Sequence, residues 1–150
     1  MTRIKIFFII VLFLLWGWNN IFPSSGYEIK FATVAPEGTT WMNVMHELND
    51  DLKKSTGNRF RFKMYPGGAF GDEKDVLRKM RFGQVHCAGF TGLGLGEILP
   101  EIRVLEIPFL FRSYEEIDFI KEKYFDRFSK GYEREGYVLL GWAEVGFVHI

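Results

Sequence analysis

His46, His86 and His149, the single cysteine Cys87 and the glycine-rich run Gly92–Gly96 are the residues whose types and spacing could support chemistry. His46-Glu47-Leu48-Asn49-Asp50 lies close to the H-E-x-x-H pattern that sets two zinc ligands on one helix face. Asp50 stands where the second histidine belongs, and no third ligand follows. Gly92-Leu93-Gly94-Leu95-Gly96 has G-x-G-x-G spacing, not the G-x-G-x-x-G of a dinucleotide loop, and is expected to form a tight turn that exposes backbone. No G-x-S-x-G occurs, and Ser55, Ser113 and Ser129 fall within predicted helices or at their ends. Cys87 sits in an apolar run; a lone thiol makes no disulfide within the chain and is expected to be buried and inert. Spacing establishes no carboxylate partner for any histidine. With no nucleophile–base pair, metal set or cofactor loop in view, a binding role is expected and an enzymatic one is not.

Strand and helix signals alternate along the elements that would position any site. Ile29–Val34 is a short β-prone run broken by Pro36-Glu37-Gly38. Thr39 or Thr40 can cap a helix in which Trp41, Val44, Met45, Leu48 and Leu52 form one apolar stripe, ended by Gly57. Arg59–Met64 alternates as a strand with one buried face. After the turn at Pro66-Gly67-Gly68, Asp72 caps a helix through Met80 that stops near Gly83. Val85–Phe90 reads as a strand covered on both faces. Ser113-Tyr114-Glu115-Glu116 is a capping box opening a helical region in which Ile117, Ile120, Tyr124 and Phe128 share a face, closed by Gly136. Tyr137–Val145 reads as a last strand.

This alternation predicts an α/β domain: a mostly parallel sheet with right-handed crossovers and helices on both faces. In such sheets ligands bind beyond the carboxyl ends of strands, where strand order reverses. The polar groups at those ends are Thr33, Glu37, Glu73, Thr91 and Glu144, with Phe90, Trp142 and Phe147 as aromatic walls.

The 150 residues suffice for one domain with a real core, and 47% hydrophobic with 25% charged residues is a globular composition. A net charge of zero, with no long basic run, gives no footprint for nucleic acid. Arg3 and Lys5 precede an uninterrupted apolar run, Ile6–Trp16, and Ser24-Ser25-Gly26 supplies small residues before Tyr27. That is the plan of a secretory signal peptide, residues 1–26, and the run is shorter than the ~20 residues needed to span a bilayer. Its removal leaves 17 basic against 19 acidic residues, a net charge of −2.

From Ile29 to His149 the chain resembles the substrate-binding proteins of tripartite ATP-independent periplasmic (TRAP) transporters. The segments that carry the likeness are Phe31–Gly38 with Trp41, Tyr65–Glu73, Leu77, Gly83 and Leu105–Glu116, in this order behind a signal peptide. The resemblance implies a periplasmic-binding-protein-like lobe over residues 27–150, with the second lobe absent. It further implies a periplasmic protein that captures a small organic acid and delivers it to membrane permease subunits. Ligand contacts then fall near Val34, Glu73 and Thr91, and the strand-end reading adds Phe90, Trp142 and Glu144 to the candidate site. The arginine with which many members grip a carboxylate is replaced here by Val148. An exported hydrolase, or an adaptor domain that has lost solute binding, is the alternative reading.

Overall fold

The computed structural model describes residues 26–144 and Gly146; residues 1–25 of the expected signal peptide, Phe147, Val148 and His149 lie outside them. Strand β1 (Tyr27–Thr33) is followed by helix α1 (Thr40–Ser55), β2 (Phe60–Tyr65), α2 (Glu73–Arg81), β3 (Cys87–Gly89) and α3 (Gly92–Ile98). A 3₁₀ segment (Pro100–Glu106) then leads to α4 (Tyr114–Lys123) and α5 (Phe125–Arg134). β1 is central and parallel to both neighbours, giving the order β2-β1-β3. Among the described residues no helix is long and apolar enough to cross a membrane.

Local chemistry sets most element ends. The Thr39 hydroxyl accepts from Met42 N at α1, and the Asp72 carboxylate accepts from Asp75 N at α2. Gly57 and Gly83 take the left-handed backbone that lets α1 and α2 stop. At α4, Ser113 caps Glu116 N while the Glu116 carboxylate accepts from Arg112 N, the reciprocal pair expected of a capping box.

Successive residues of β1 serve opposite faces of the sheet. Phe31 meets Trp41 of α1 and Phe62 of β2, whereas Ala32 packs with Val76 of α2 and with Val85. Helices therefore cover both faces. A second apolar cluster joins Leu77, Ile98, Leu99, Ile102, Phe128 and Tyr132, and Phe90 packs against both clusters.

The structure departs from the sequence reading in five places. The buried side of α1 is set by Met42 and Asn49, while Val44 (56% exposed) and Leu48 (50%) face outward. Asn49 is buried because its side-chain amide acts as a strand residue: Nδ2 donates to Phe62 O, and Oδ1 accepts from Phe62 N, closing the outer edge of β2 there. The third strand is only Cys87–Gly89: Val85 turns into the core, and at His86 the backbone N–H still donates to Lys30 O while the ring Nδ1, in place of a carbonyl, accepts from Lys30 N. Gly92–Gly96 is not a turn but the body of α3. The region opened by Ser113 breaks at Tyr124 into α4 and α5. Tyr137–Val145 is expected to form a strand, but residues 137–144 belong to no regular element and pair with no strand among the described residues.

Tyr132 gives the second cluster a pH signature. Its hydroxyl donates to Leu95 O at 3.3 Å, and burial pushes its pKa up from 10.0 to about 12. A folded state that favours the neutral phenol gains stability that is complete below pH 10 and is lost as pH climbs toward about 12. That loss is about 2–3 kcal/mol for a shift of this size. Tyr132→Phe is expected to cost about 0.5–1.5 kcal/mol at neutral pH and to flatten the alkaline decline. Denaturant unfolding from pH 8 upward checks this; parallel declines in both proteins would refute it.

Candidate functional site

The chain runs from β1 to β2 on one side and then to β3 on the other, so strand order reverses at β1. The crevice beyond the carboxyl ends of β1 and β3 is where a sheet of this kind receives a ligand. Its first loop starts at Thr33, whose buried hydroxyl accepts from Ala35 N at 3.2 Å. Thr33 O and Ala35 O then accept from Gly68 N and Gly67 N, tying this loop to the one after β2. Val34 stays open on the rim. Glu37 is held by His46 of α1 at 2.7 Å, a partnership spacing alone did not reveal.

The loop after β3 is organised by a carboxylate. Glu73, only 6% exposed at the start of α2, accepts from Thr91 N at 2.6 Å, Thr91 Oγ1 at 2.8 Å and Gly94 N at 2.8 Å. Glu106 accepts from Gly92 N at 2.9 Å, and the Thr91 hydroxyl takes Leu93 N. The first N–H groups of α3 are thus consumed by the protein's own acceptors, where acidic groups are also favoured by the helix dipole. This arrangement explains the glycines. A Cβ at Gly92 would collide with the Glu106 carboxyl, and one at Gly94 would lie 2.7 Å from the Phe90 ring and 3.0 Å from Glu73 Oε2. At Gly96 it would collide with the Arg103 side chain. Three glycines let two carboxylates and a guanidinium approach the α3 backbone.

Glu73, Phe90 and Thr91 therefore gather at the end of β3, with Val34 on the loop after the adjacent strand. Trp142 and Glu144 lie with α4 and α5. Trp142 meets Phe128 edge-on at 6.0 Å and lines a hollow of about 570 Å³ with Asp118, Lys121, Glu122, Phe125 and Asp126. Glu144 pairs with Lys121, which also binds Asp118. Burial works against the Lys121 charge, but the two carboxylates outweigh it and raise its pKa. Phe90 and Trp142 both pack against the second apolar cluster. The indole N–H of Trp142 and the hydroxyl of Tyr137 are buried without a hydrogen-bond partner among the described residues. The sequence reading missed Glu106 as an acceptor, because its partner is 14 residues away and no local motif marks the contact. The H-E-x-x-D echo does not assemble: His46 turns to Glu37 and Asp50 to Lys53, and among the described residues no three metal-ligating side chains gather. Burial raises the Cys87 thiol pKa, which keeps it in its unreactive form.

The family model for bacterial extracellular solute-binding protein, family 7, matches residues 31–150, which include every element from the middle of β1 onward. The chain belongs to that family. A solute-binding protein of Chromohalobacter salexigens is 27% identical over 131 residues, covering 87% of this chain and 35% of that protein. Among solved structures, a TRAP periplasmic solute-binding protein from a Polaromonas species, bound to D-erythronate, superposes with a TM-score of 0.67 at 23% identity. It matches 74% of this chain and 37% of its own. The corresponding protein of Citrobacter koseri, with bound D-glucuronate, gives 0.67 at 26% identity over 77% and 40%. The fold of this chain is that of one lobe of such proteins, and it spans well under half the length of the relatives it matches.

Proposed function

We propose that this family 7 chain is the solute-capturing part of a TRAP-type transporter, supplying one wall of a cleft for a small organic acid. What carries the reading is the coincidence of the family match with a strand-order reversal whose flanking loops are braced by Glu73 and by the Thr33–Gly68 bonds. Val34, Phe90, Thr91 and Trp142 then face the solute, while Glu73 holds Thr91 in place and Glu144 lies behind with Lys121. Because carboxylates already fill the start of α3, the acid group of the solute is gripped from the facing wall, and this wall meets the rest of the molecule. Export through residues 1–26 places the protein in the periplasm, where membrane permease subunits of the transporter receive the solute.

The exposed apolar stretch Ile107, Phe109 and Leu110 fits this picture. Phe109 is held at φ +63°, a strained conformation for an aromatic residue, and extends into solvent as a contact for further protein.

A pocket usually encloses ~70–90% of its ligand, so one wall binds weakly. The test joins residues 31–150 to the remaining part of the Citrobacter koseri relative and titrates the product with D-glucuronate and D-erythronate. The joined protein is expected to bind and the 150-residue chain to give weak or no heat. The Thr91 hydroxyl, which gives its proton to Glu73 and accepts from Leu93 N, keeps a lone pair for a solute hydroxyl, so Thr91→Val is expected to weaken binding about five- to a hundred-fold, as for a lost hydrogen bond of ~1–3 kcal/mol. Unchanged affinity would remove Thr91 from the ligand face. A folded joined protein that takes no organic acid would sink the reading.

A further inference from the structure

The first rung of the sheet falls on the expected cleavage junction. Residues 1–26 read as a leader ending in Ser24-Ser25-Gly26, which puts the scissile peptide between Gly26 and Tyr27. In the folded chain that peptide is already engaged. Tyr27 N donates to Arg59 O at 2.6 Å, Tyr27 stands in register with Phe60, and the two rings stack at 5.4 Å. Gly26 lies against the turn before β2, where a Cβ would collide with Asn58 O and stand 3.3 Å from Arg59 O.

That turn is built from the end of α1 and owes nothing to the leader. Asn58 takes the left-handed backbone, φ +60°, which asparagine tolerates, and its N–H donates to Lys53 O at 2.8 Å. The Thr56 hydroxyl donates to Leu52 O at 2.6 Å and accepts from Phe60 N at 3.2 Å. Arg59 N and Nε both donate to Thr56 O at 3.2 Å. The carbonyls of Asn58 and Arg59 are thus fixed where Gly26 and Tyr27 meet them.

We propose that this seat sets folding and leader removal in competition: once β1 joins β2, the Gly26–Tyr27 bond is withdrawn from the protease that cuts the leader. The proposal rests on the export reading of residues 1–26. The cut adds water across that bond, leaving a carboxylate on Gly26 and an ammonium on Tyr27. A folded chain is cut only from the fraction in which the residues around the bond have left the sheet. That opening breaks the bond to Arg59 O and the Tyr27–Phe60 stack, and it parts Glu28 from Arg61 and Lys63. A chain cut before folding loses nothing, because the same Tyr27 nitrogen remains a donor for Arg59 O. A chain folded first keeps the apolar run Ile6–Trp16, and with it a hold on the membrane. The order of the two events decides between a free and a held solute-capturing lobe.

Cleavage of the full 150-residue chain by purified leader peptidase tests this, with the chain either refolded beforehand or diluted from urea directly into the protease. The refolded chain is expected to be cut about tenfold more slowly, or slower still, in proportion to its open fraction. Gly26→Ala keeps a small residue at the junction, and once cut it yields the same mature molecule as the natural chain. Its methyl group forces residue 26 away from Asn58 O. The refolded variant is therefore expected to be cut nearly as fast as chain diluted from urea, while hydrogen exchange still finds the Phe31–Thr33 amides protected. Equal rates for the refolded and diluted natural chain overturn the proposal and leave export standing. A refolded Gly26→Ala chain as resistant as the natural one also overturns it. If neither form is cut before Tyr27, the export reading fails and the proposal falls with it.

Discussion

Glu73→Ala is expected to lower the stability of this chain by about 3–5 kcal/mol, because it leaves three neutral donors without their acceptor. The Glu73 carboxylate receives three donors from residues 91–94, and its loss strands two backbone N–H groups and a hydroxyl. Each stranded group costs ~1–3 kcal/mol if it finds no water. Glu73→Gln keeps one acceptor but turns an amide donor toward N–H groups, so it should recover only part of the loss. Thr91→Val leaves Thr91 N and Gly94 N on Glu73 and frees only Leu93 N, which is exposed to water, so about 1 kcal/mol is expected from it. Urea unfolding of the three variants gives the order Ala worst, Gln intermediate and Val mildest. A loss below about 1 kcal/mol for Glu73→Ala would show that the carboxylate does not hold the α3 start. The order also bears on the proposed function: Thr91→Val tests the proposed solute contact with little loss of fold, whereas Glu73 variants confound the two.

What could be read from the sequence follows the range of the interactions involved. The caps at Thr39, Asp72 and Ser113 act within three residues, and Gly57 and Gly83 act at one position, so their spacing announces them. Parallel strands and covered faces follow from the alternation of elements. The glycine run was misread because glycine signals a turn locally, while the reason for it here is the approach of Glu73, Glu106 and Arg103 from outside the run. The α1 stripe was rotated by Asn49, a polar residue whose burial depends on an unpaired strand edge 13 residues on. Residues 137–140 alternate between covered and exposed as a strand should, but a strand also needs a neighbour, which the pattern within one segment does not supply.

The same distinction applies to the site. The candidate placement at strand ends comes from topology alone, and Glu73 and Thr91 are both in it. Their mutual hydrogen bonds, which assign Glu73 a bracing position beneath Thr91, arise only when α2 and β3 meet across 18 residues.

The contact between α1 and β3 sets the second large effect, because it joins the two loops that flank the strand-order reversal. The Trp41 ring lies over Gly89 and meets the Phe31 ring at 5.8 Å. A Cβ at Gly89 would stand 2.6 Å from the Trp41 ring and 3.3 Å from Phe31, and strand backbone here is otherwise tolerant of alanine. Gly89→Ala is therefore expected to cost about 1–3 kcal/mol by overpacking. Trp41→Ala should cost about 3 kcal/mol, the low end for a large aromatic because the side chain is only half-buried. In the double variant the added methyl enters space the indole has left, so the combined loss should fall short of the sum by about 1 kcal/mol or more. Additive losses would mean that Gly89 is required for some reason other than the indole. A coupled loss would identify the glycine as the seat that lets Trp41 pull α1 against the sheet, holding the Thr33–Gly38 loop beside Phe90 and Thr91.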